Sequence, residues 1–456
     1  MTTSEDTRAR GRLLMVMCAG MFLVLLDVTA VNVALPGIGR SLQVQVSTLQ
    51  WVVDGYAVAI AGLLLAAGTV GDRLGHRRVV LIGFCLFGVA SLGCALAPNA
   101  GVLIGSRVIQ GIGAALLLPG TMALIAAAYP ERTEQAKALG SWAAVSSLAL
   151  PAGPVLGGLL VSASSWRMVF WINVPIVVVV VLAVLRLVPD RQGHRSGAFD
   201  RWGTTCFALA LTAGVFAVIE LGRHAPALVV GAAALVAVSS AVAGFAVEAH
   251  HPQPILPLDL LRRRRFLAPN VVALVMNLVF NGTLFVATLY LQEVGALSAA
   301  VAGICVLPMA IPLVLLAPIS GRLTVSFGPR LPIAIGCGFG IVGAALLLTV
   351  QTGHAVGWIG IPIFVTGLGG GLVTAAVVTA AVRATPRDRA GLATGISNTA
   401  RQTGTALGVA VFGAIAGTPS LATAFVRHLH LLAPIGAALW TLGLVLAATS
   451  VAGRDS

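Results

Sequence analysis

The sequence has 456 residues, 58% of them hydrophobic and 9% charged, against roughly a quarter charged in an ordinary soluble domain. Its mean hydropathy of +0.99, with 53 glycines and 22 prolines set inside apolar runs, excludes a disordered or collagen-like chain and leaves no length for a large soluble catalytic domain. Against 15 Asp and Glu, 28 Lys and Arg give a net charge of +13, which would suit a nucleic-acid binder only if it formed one patch.

A bilayer-spanning helix needs about 20 mostly apolar residues. In chain order such spans fall at about 13–36, 50–70, 79–97, 102–128, 138–161, 169–188, 203–220, 226–247, 266–291, 299–320, 331–351, 355–381, 392–416 and 431–452, which predicts an all-α polytopic membrane protein of fourteen helices. Residues 1–12 are polar and no small-residue cleavage site follows the first span, so that span is expected to be retained as a helix.

The basic residues then sort by side. With the N-terminus in the cytoplasm, 22 of them lie on the cytoplasmic side, including the Arg262–Arg265 run. Only Arg40, Arg167, Arg223 and Arg427 fall in outer loops, and Arg107 and Arg401 fall within helices. Excess Lys and Arg in cytoplasmic loops is the signal that orients membrane proteins. Both termini are therefore expected in the cytoplasm, and a nucleic-acid partner is not needed to explain the charge.

The loop after helix 2 reads Gly68-Thr-Val-Gly-Asp72-Arg73-Leu-Gly75-His-Arg77-Arg78, and the loop after helix 10 reads Gly321-Arg-Leu-Thr-Val325-Ser-Phe-Gly328-Pro-Arg330. At an offset of 253 residues, Gly68 meets Gly321, Gly75 meets Gly328 and Arg77 meets Arg330. This internal repeat divides the chain into two six-helix bundles, 13–188 and 266–452, with polar linkers and two extra helices between them at 189–265 and short cytoplasmic tails at 1–12 and 453–456. Paired halves around a midplane site are the construction of secondary transporters.

Nothing in the chain reads as an enzyme. GxxxxGK[ST], HExxH and GxSxG are all absent, which removes the visible apparatus of a phosphate-cradling ATPase, a zinc protease or a serine hydrolase. Gly111-Ile-Gly113 lies inside a membrane helix, where close helix packing explains it. Six cysteines are scattered through apolar spans without CxxC pairing or nearby histidines, so no metal site and no disulfide framework is expected.

Ionisable residues at membrane depth default to functional hypotheses. Asp27 lies about 13 Å from the outer end of helix 1 and Arg107 about 9 Å into helix 4 from the same side, at 1.5 Å per residue, depths that permit a pair. For Asp27, a protonation or substrate role stands beside a structural ion pair or a polar cap on Asn32. Asp54, near the outer end of helix 2, is read equally as functional or solvated, and Glu220 and Glu293 as interfacial. Asn277 and Asn281 share a face of helix 9 at i and i+4, as do Asn398 and Gln402 of helix 13; these amides suit an amphipathic ligand or hydrogen bonding between packed helices. Arg401 either serves a site or snorkels to the interface. In helix 5, Gly153-Pro154-Val-Leu-Gly157-Gly158 combines a kinking proline with glycines that admit a close neighbour, which makes a bending point or a packing surface.

With these residues assembled, the chain resembles the major facilitator superfamily, specifically its fourteen-span drug:H+ antiporter branch. The segments that carry the resemblance are Leu26-Asp27-Val-Thr29-Ala-Val-Asn32-Val-Ala-Leu35-Pro36, Arg107-Val-Ile-Gln110-Gly111-Ile-Gly113, Gly153-Pro154-x-x-Gly157-Gly158, the Gly68–Arg78 loop, and Trp166-Arg167-Met168-Val-Phe170-Trp171-Ile-Asn173-Val-Pro175. The resemblance implies the fold of that superfamily, two pseudo-symmetric six-helix bundles with two inserted linker helices. It implies proton coupling at Asp27 and Arg107, and a cytoplasmic gate built from Gly68, Asp72, Arg73, Gly75, Arg77 and Arg78. It also implies an antiporter motif at Gly153, Pro154, Gly157 and Gly158. A cavity would be lined by Asn32, Asp54, Gln110, Asn277, Asn281, Asn398, Arg401 and Gln402. The expected activity is export of small amphipathic drugs or antibiotics from the cytoplasm by alternating access, powered by the proton motive force with no cofactor, by a monomer in a bacterial inner membrane. Export of a single endogenous natural product is the alternative, and a non-transporting sensor or structural protein a more distant one.

Overall fold

The computed structural model describes residues 4–129, 131–188, 200–250, 258–352, 355–385, 390–417 and 421–451, and every predicted span is helical in it. The helices are α1 (Ser4–Leu42), α2 (Val46–Leu74), α3 (His76–Ala95), α4 (Ala100–Ala128), α5 (Arg132–Ala163), α6 (Met168–Leu187) and α7 (Arg201–Gly222). They continue with α8 (Ala227–His250), α9 (Arg264–Val294), α10 (Ala299–Phe327), α11 (Arg330–Thr349), α12 (Ala355–Arg383), α13 (Ala390–Ala416) and α14 (Ala422–Ser450). There is no strand among the described residues. Thirteen of these helices are long and apolar enough to cross a membrane. The exception is α13, whose apolar content is diluted by Ser397, Asn398, Arg401, Gln402, Thr403 and Thr405.

The two copies of the loop repeat end their helices in the same way. Gly75 closes α2 at φ +88° and Gly328 closes α10 at φ +80°, each donating its N–H to the carbonyl four residues back, Gly71 at 3.0 Å and Thr324 at 3.1 Å. A side chain would be strained at either position, so the repeated glycines set where both helices stop.

Helices α1 to α6 form one bundle, in which α1 packs on α5 and α4 packs on α2 and α3. In the second bundle α9 packs on α13, α12 and α14, while α10 and α11 pack on α12. The inserted helices α7 and α8 pack on each other, and α7 leans on both α2 and α13. The bundles meet where α2 packs on α13, α5 on α10, and α1 on α9 and α10.

The fourteen successive helices bring Ser4 and Val451 to the same face, hereafter the terminal face. Every hydrogen bond recorded between the bundles among the described residues lies toward the opposite face. Gln50 of α2 donates to the carbonyls of Val409 and Ala410 in α13 at 3.1 and 2.9 Å. Gln292 donates to the Val33 carbonyl at 2.9 Å, the Ala300 N–H to Ser162 Oγ at 3.1 Å, and Arg40 to Glu293 at 2.9 Å. A π-helical turn at Tyr290–Val294 ends α9 and carries both Gln292 and Glu293 toward α1; such turns re-aim side chains at functional positions. The apolar cores divide likewise. Leu26, Ala30, Ala34 and Ile38 of α1 share a cluster with Leu284, Ala287 and Leu291 of α9. Toward the terminal face, the cluster of Leu13, Met17, Phe84, Leu124 and Val184 draws only on the first bundle. The protein is closed on the face away from its termini.

Candidate functional site

The site is assembled by glycines before any charged group is placed. Helix α4 reaches α2 because a Cβ on Gly111 would stand 2.5 Å from the Tyr56 carbonyl oxygen, a separation only glycine permits. On the other side of α4, a Cβ on Gly113 would stand 2.7 Å from the Gly83 carbonyl of α3. Helix α5 closes on α1 in the same manner, with Gly157 against Ala30 (2.8 Å to its Cα) and Gly153 against Thr29 and the Leu26 carbonyl. Thr29 Oγ1 ties the two helices by donating toward the Leu26 and Ala149 carbonyls at 3.2 and 3.3 Å.

Asp27 stands at the centre of this packing, fully buried, with Arg107 1% exposed beside it. Arg107 Nη1 donates to Asp27 Oδ2 at 2.5 Å and to Gln110 Oε1 at 2.7 Å. Its Nε donates to the Val52 carbonyl at 3.0 Å, and its guanidinium lies 4.2 Å from the centroid of the Tyr56 ring, a cation–π stack. The other carboxylate oxygen, Oδ1, accepts from Asn173 Nδ2 at 2.9 Å and from Gln110 Nε2 at 3.2 Å. Ser91 Oγ receives the same two amides, Gln110 at 2.8 Å and Asn173 at 3.3 Å, and donates to the Phe87 carbonyl at 2.7 Å. Five helices of one bundle thus converge on one ion pair. A charge removed from water requires a partner and satisfied hydrogen bonds, and Asp27 has both.

Of the eight expected cavity residues, Gln110 is fully buried within this network. Asn32 is 4% exposed and donates to the Val28 carbonyl of its own helix at 2.9 Å, so it does not cap Asp27; five residues on, it faces another side of α1. Asn277 and Asn281 share a face, where Asn281 donates to the Asn277 carbonyl at 3.0 Å and across to Thr405 Oγ1 of α13 at 3.1 Å. Asn398, Arg401 and Gln402 are half-buried. Arg401 Nε has no hydrogen-bond partner, and no carboxylate pairs with Arg401 among the described residues. Asp54 is fully buried and is not solvated; neither carboxylate oxygen has a partner.

In the gate loop, Arg77 Nη2 donates to the Leu185 carbonyl at the end of α6 at 3.0 Å, Arg73 is half-buried and Arg78 exposed. The side chains at 68 and 72 lie outside the described residues. The Gly-Pro motif of α5 has two working faces. Gly153 and Gly157 pack on the stretch of α1 just after Asp27, while Pro154 and Gly158 meet α10. A Cβ on Gly158 would stand 2.5 Å from the Ala299 carbonyl, and one on Gly303 2.1 Å from that of Pro154. Glu220 pairs with Arg223 and Glu293 with Arg40, each at 2.9 Å. Among the described residues no cluster of His, Cys, Asp and Glu could hold a metal.

Sequence reasoning passed over Ser91, Asn173 and Tyr56 as members of this site. A usable signal was present, since Asn173 is an amide inside an apolar span and such groups need a partner in a membrane.

Residues 17–409 match the Major Facilitator Superfamily. The chain is 35% identical over 402 residues to the multidrug resistance protein Stp of Mycobacterium tuberculosis, covering 87% of this chain and 74% of that protein. It is 32% identical over 423 residues to the methylenomycin A resistance protein of Bacillus subtilis, covering 90% of this chain and 89% of that one. Among solved structures, the POT family transporter PepTSo superposes with a TM-score of 0.70 at 13% identity, covering 96% of this chain and 98% of that one, a likeness of fold.

Proposed function

The chain belongs to the Major Facilitator Superfamily, and from that premise we propose that it is a proton-driven antiporter that exports amphipathic drugs or antibiotics from the cytoplasm. The two relatives described above are resistance proteins, which supports a drug as the exported molecule. The placement of Lys and Arg supports a cytoplasmic terminal face. The protein is then closed to the outside, the state that takes substrate from within. It works as a monomer in a bacterial inner membrane, drawing on the proton motive force without a cofactor.

The observation that carries the coupling is the buried pair of Asp27 and Arg107. In the closed state the carboxylate is ionised and filled, one oxygen by Arg107 and the other by two amides. A proton arriving on Asp27 cancels the charge that Arg107 compensates. The guanidinium retains Gln110 Oε1, the Val52 carbonyl and the Tyr56 ring, two of which belong to α2, a helix that also grips α13 through Gln50. Protonation therefore changes the load on a helix that seals the outer face. Helix α5 transmits the same event, because Gly153 and Gly157 ride on α1 while Pro154 and Gly158 hold α10. Substrate contacts fall to the amides of α9 and α13, Asn277, Asn281, Asn398 and Gln402, with Asn32 and Arg401 at their margins, and the Gly68–Arg78 loop serves as the cytoplasmic gate.

In proteoliposomes, Asp27→Asn is expected to abolish drug-stimulated proton movement while the protein still folds. Normal coupled exchange in that variant would overturn the assignment. The name of the Bacillus relative, which specifies one antibiotic, favours dedicated export as a second reading. An efflux screen of a drug panel in a transporter-deficient bacterium separates the two by the number of compounds exported.

A further inference from the structure

We infer that the exported molecules are amphipathic anions, ionised carboxylic or sulfonic acids held by the guanidinium of Arg401. The inference rests on the export reading above and names the charge class of what is exported. Arg401 lies eleven residues past Ala390, about 16 Å along α13. Its side of the helix is set by glycines. Gly404 and Gly408, three and seven residues on, bring α13 against the Leu274 and Leu278 carbonyls of α9, and residues at those spacings share a face. Arg401 is therefore on the stripe turned to α9 and not on one turned to lipid.

A snorkelling arginine puts its head into interfacial water. Arg401 does not: its Nε is buried without a partner, while Nη1 and Nη2, which have no partner among the described residues, keep open surface. With the opposite face closed, that surface is reached from the terminal face. On the same two stripes, Ser397 Oγ, one turn before Arg401, and Asn270 Oδ1, one turn before Leu274, are buried and also unfilled. This part of the seam is not satisfied by the protein itself.

Among the described residues no acid neutralises Arg401. Between 266 and 452 the sequence has two acids, Glu293 and Asp388. Glu293 is at the far end of α9, paired with Arg40, and Asp388, outside the described residues, comes before α13 begins. In the first bundle, Asp27 is held by Arg107, Gln110 and Asn173. Asp54 precedes Ala57 and Val58, which share a cluster with Ala406 and Ala410, so it lies on the closed side of that contact, and Arg401, five residues before Ala406, lies on the other. On α7, Glu220 bonds Arg223. A cation at membrane depth without an anion is costly, and a ligand that brings the anion removes that cost. The planar fork of a guanidinium matches a carboxylate with two parallel hydrogen bonds, and the neighbouring amides Asn277, Asn281, Asn398 and Gln402 supply neutral donors and acceptors for the rest of the molecule. An amphipathic cation finds no such counter-charge here and is repelled by Arg401.

The test measures equilibrium binding to the full chain in phosphatidylcholine nanodiscs, with empty nanodiscs as the reference. Two fluorescent anions, fluorescein and anilinonaphthalene sulfonate, are compared with two fluorescent cations, ethidium and acriflavine. The native chain is expected to bind an anion about ten-fold more tightly than either cation. Arg401→Gln is expected to lose about ten-fold in anion affinity and to gain affinity for the cations, a reversal that a general packing defect does not produce. Arg401→Lys keeps the charge without the fork and is expected to bind anions more weakly while retaining the preference, which covers a failure of Arg401→Gln to fold. A native chain that binds neither anion, or that prefers the cations, overturns the inference, as does an Arg401→Gln variant with the native preference. Failure of the antiport reading shows differently, as absent drug-stimulated proton movement in liposomes while anion binding and its dependence on Arg401 persist.

Discussion

Asn173 and Asp27 lie 146 residues apart in the chain, yet the Asn173 amide donates a 2.9 Å hydrogen bond to Oδ1 of Asp27. Gln110 donates to the same oxygen at 3.2 Å, while Arg107 takes the other oxygen. The carboxylate is divided between one cation and two neutral amides. One oxygen responds to charge, and the other fixes the orientation of the group.

Replacing Asn173 by Leu removes a buried donor without adding charge. An unmet hydrogen-bonding need of this kind costs about 1–3 kcal/mol. A lower thermal unfolding midpoint in detergent and several-fold weaker drug–proton exchange in liposomes are expected. Asn173→Asp is expected to be worse, because it sets a second acid against Asp27. An Asn173→Leu variant with native exchange would show that the amide does not hold the site.

Arg107→Leu leaves Asp27 buried without its cation, and Asp27→Leu leaves Arg107 without its anion. Removing one partner of a buried pair destabilises by about 3–5 kcal/mol, whereas removing both is far less harmful. The double variant Asp27→Leu/Arg107→Leu is expected to unfold at a higher temperature than either single variant. A thermal double-mutant cycle measures the coupling, and additive losses would argue against a pair.

Gly303→Val pushes a side chain into the Pro154 carbonyl, 2.1 Å from where its Cβ must stand. Backbone cannot yield as a side chain can, so α5 and α10 must part and the closed face should open. Labelling of a cysteine placed beneath that contact is expected to speed up. Gly360→Ala, with nothing within 4 Å of the new Cβ, is the matched control and should label at the native rate.

Arg40 and Glu293 join the bundles at 2.9 Å, but their side chains are 63% and 30% exposed. An exposed ion pair contributes about 0–1 kcal/mol. Glu293→Gln is expected to leave drug efflux within about two-fold of native, and the swap Arg40→Glu/Glu293→Arg likewise. Loss of efflux in Glu293→Gln would move Glu293 from the surface into the mechanism.

The fold was legible because its signals are local. Apolar runs mark helices wherever they pack, and the paired glycines at 75 and 328 mark the repeat because no other residue takes their backbone conformation without strain. The ion pair was half legible: equal depth in two spans permits Asp27 and Arg107 to meet but does not say that they do. Ser91 and Tyr56 were missed as partners because each is an unremarkable residue in its own helix, and Asn173 because an amide in an apolar span signals that a partner exists without saying which. Gln110 was read as a cavity residue for the same reason, since one polar group in an apolar span does not reveal which neighbour it faces.

Sequence by itself determined the number of long helices, the division into two bundles with two inserted helices, and the rarity of charge inside the apolar segments. All three follow from hydropathy and residue spacing along one chain. Only the tertiary structure decided which face is closed, which groups fill the oxygens of Asp27, and that Asp54 is fully buried with no partner. These depend on how helices rotate and approach one another, and that is set by contacts such as Gly111 on Tyr56 and Gly303 on Pro154. A buried charge is costly in a membrane wherever it sits; its neighbours decide whether it is paired, as Asp27 is by Arg107, or left open, as Arg401 is.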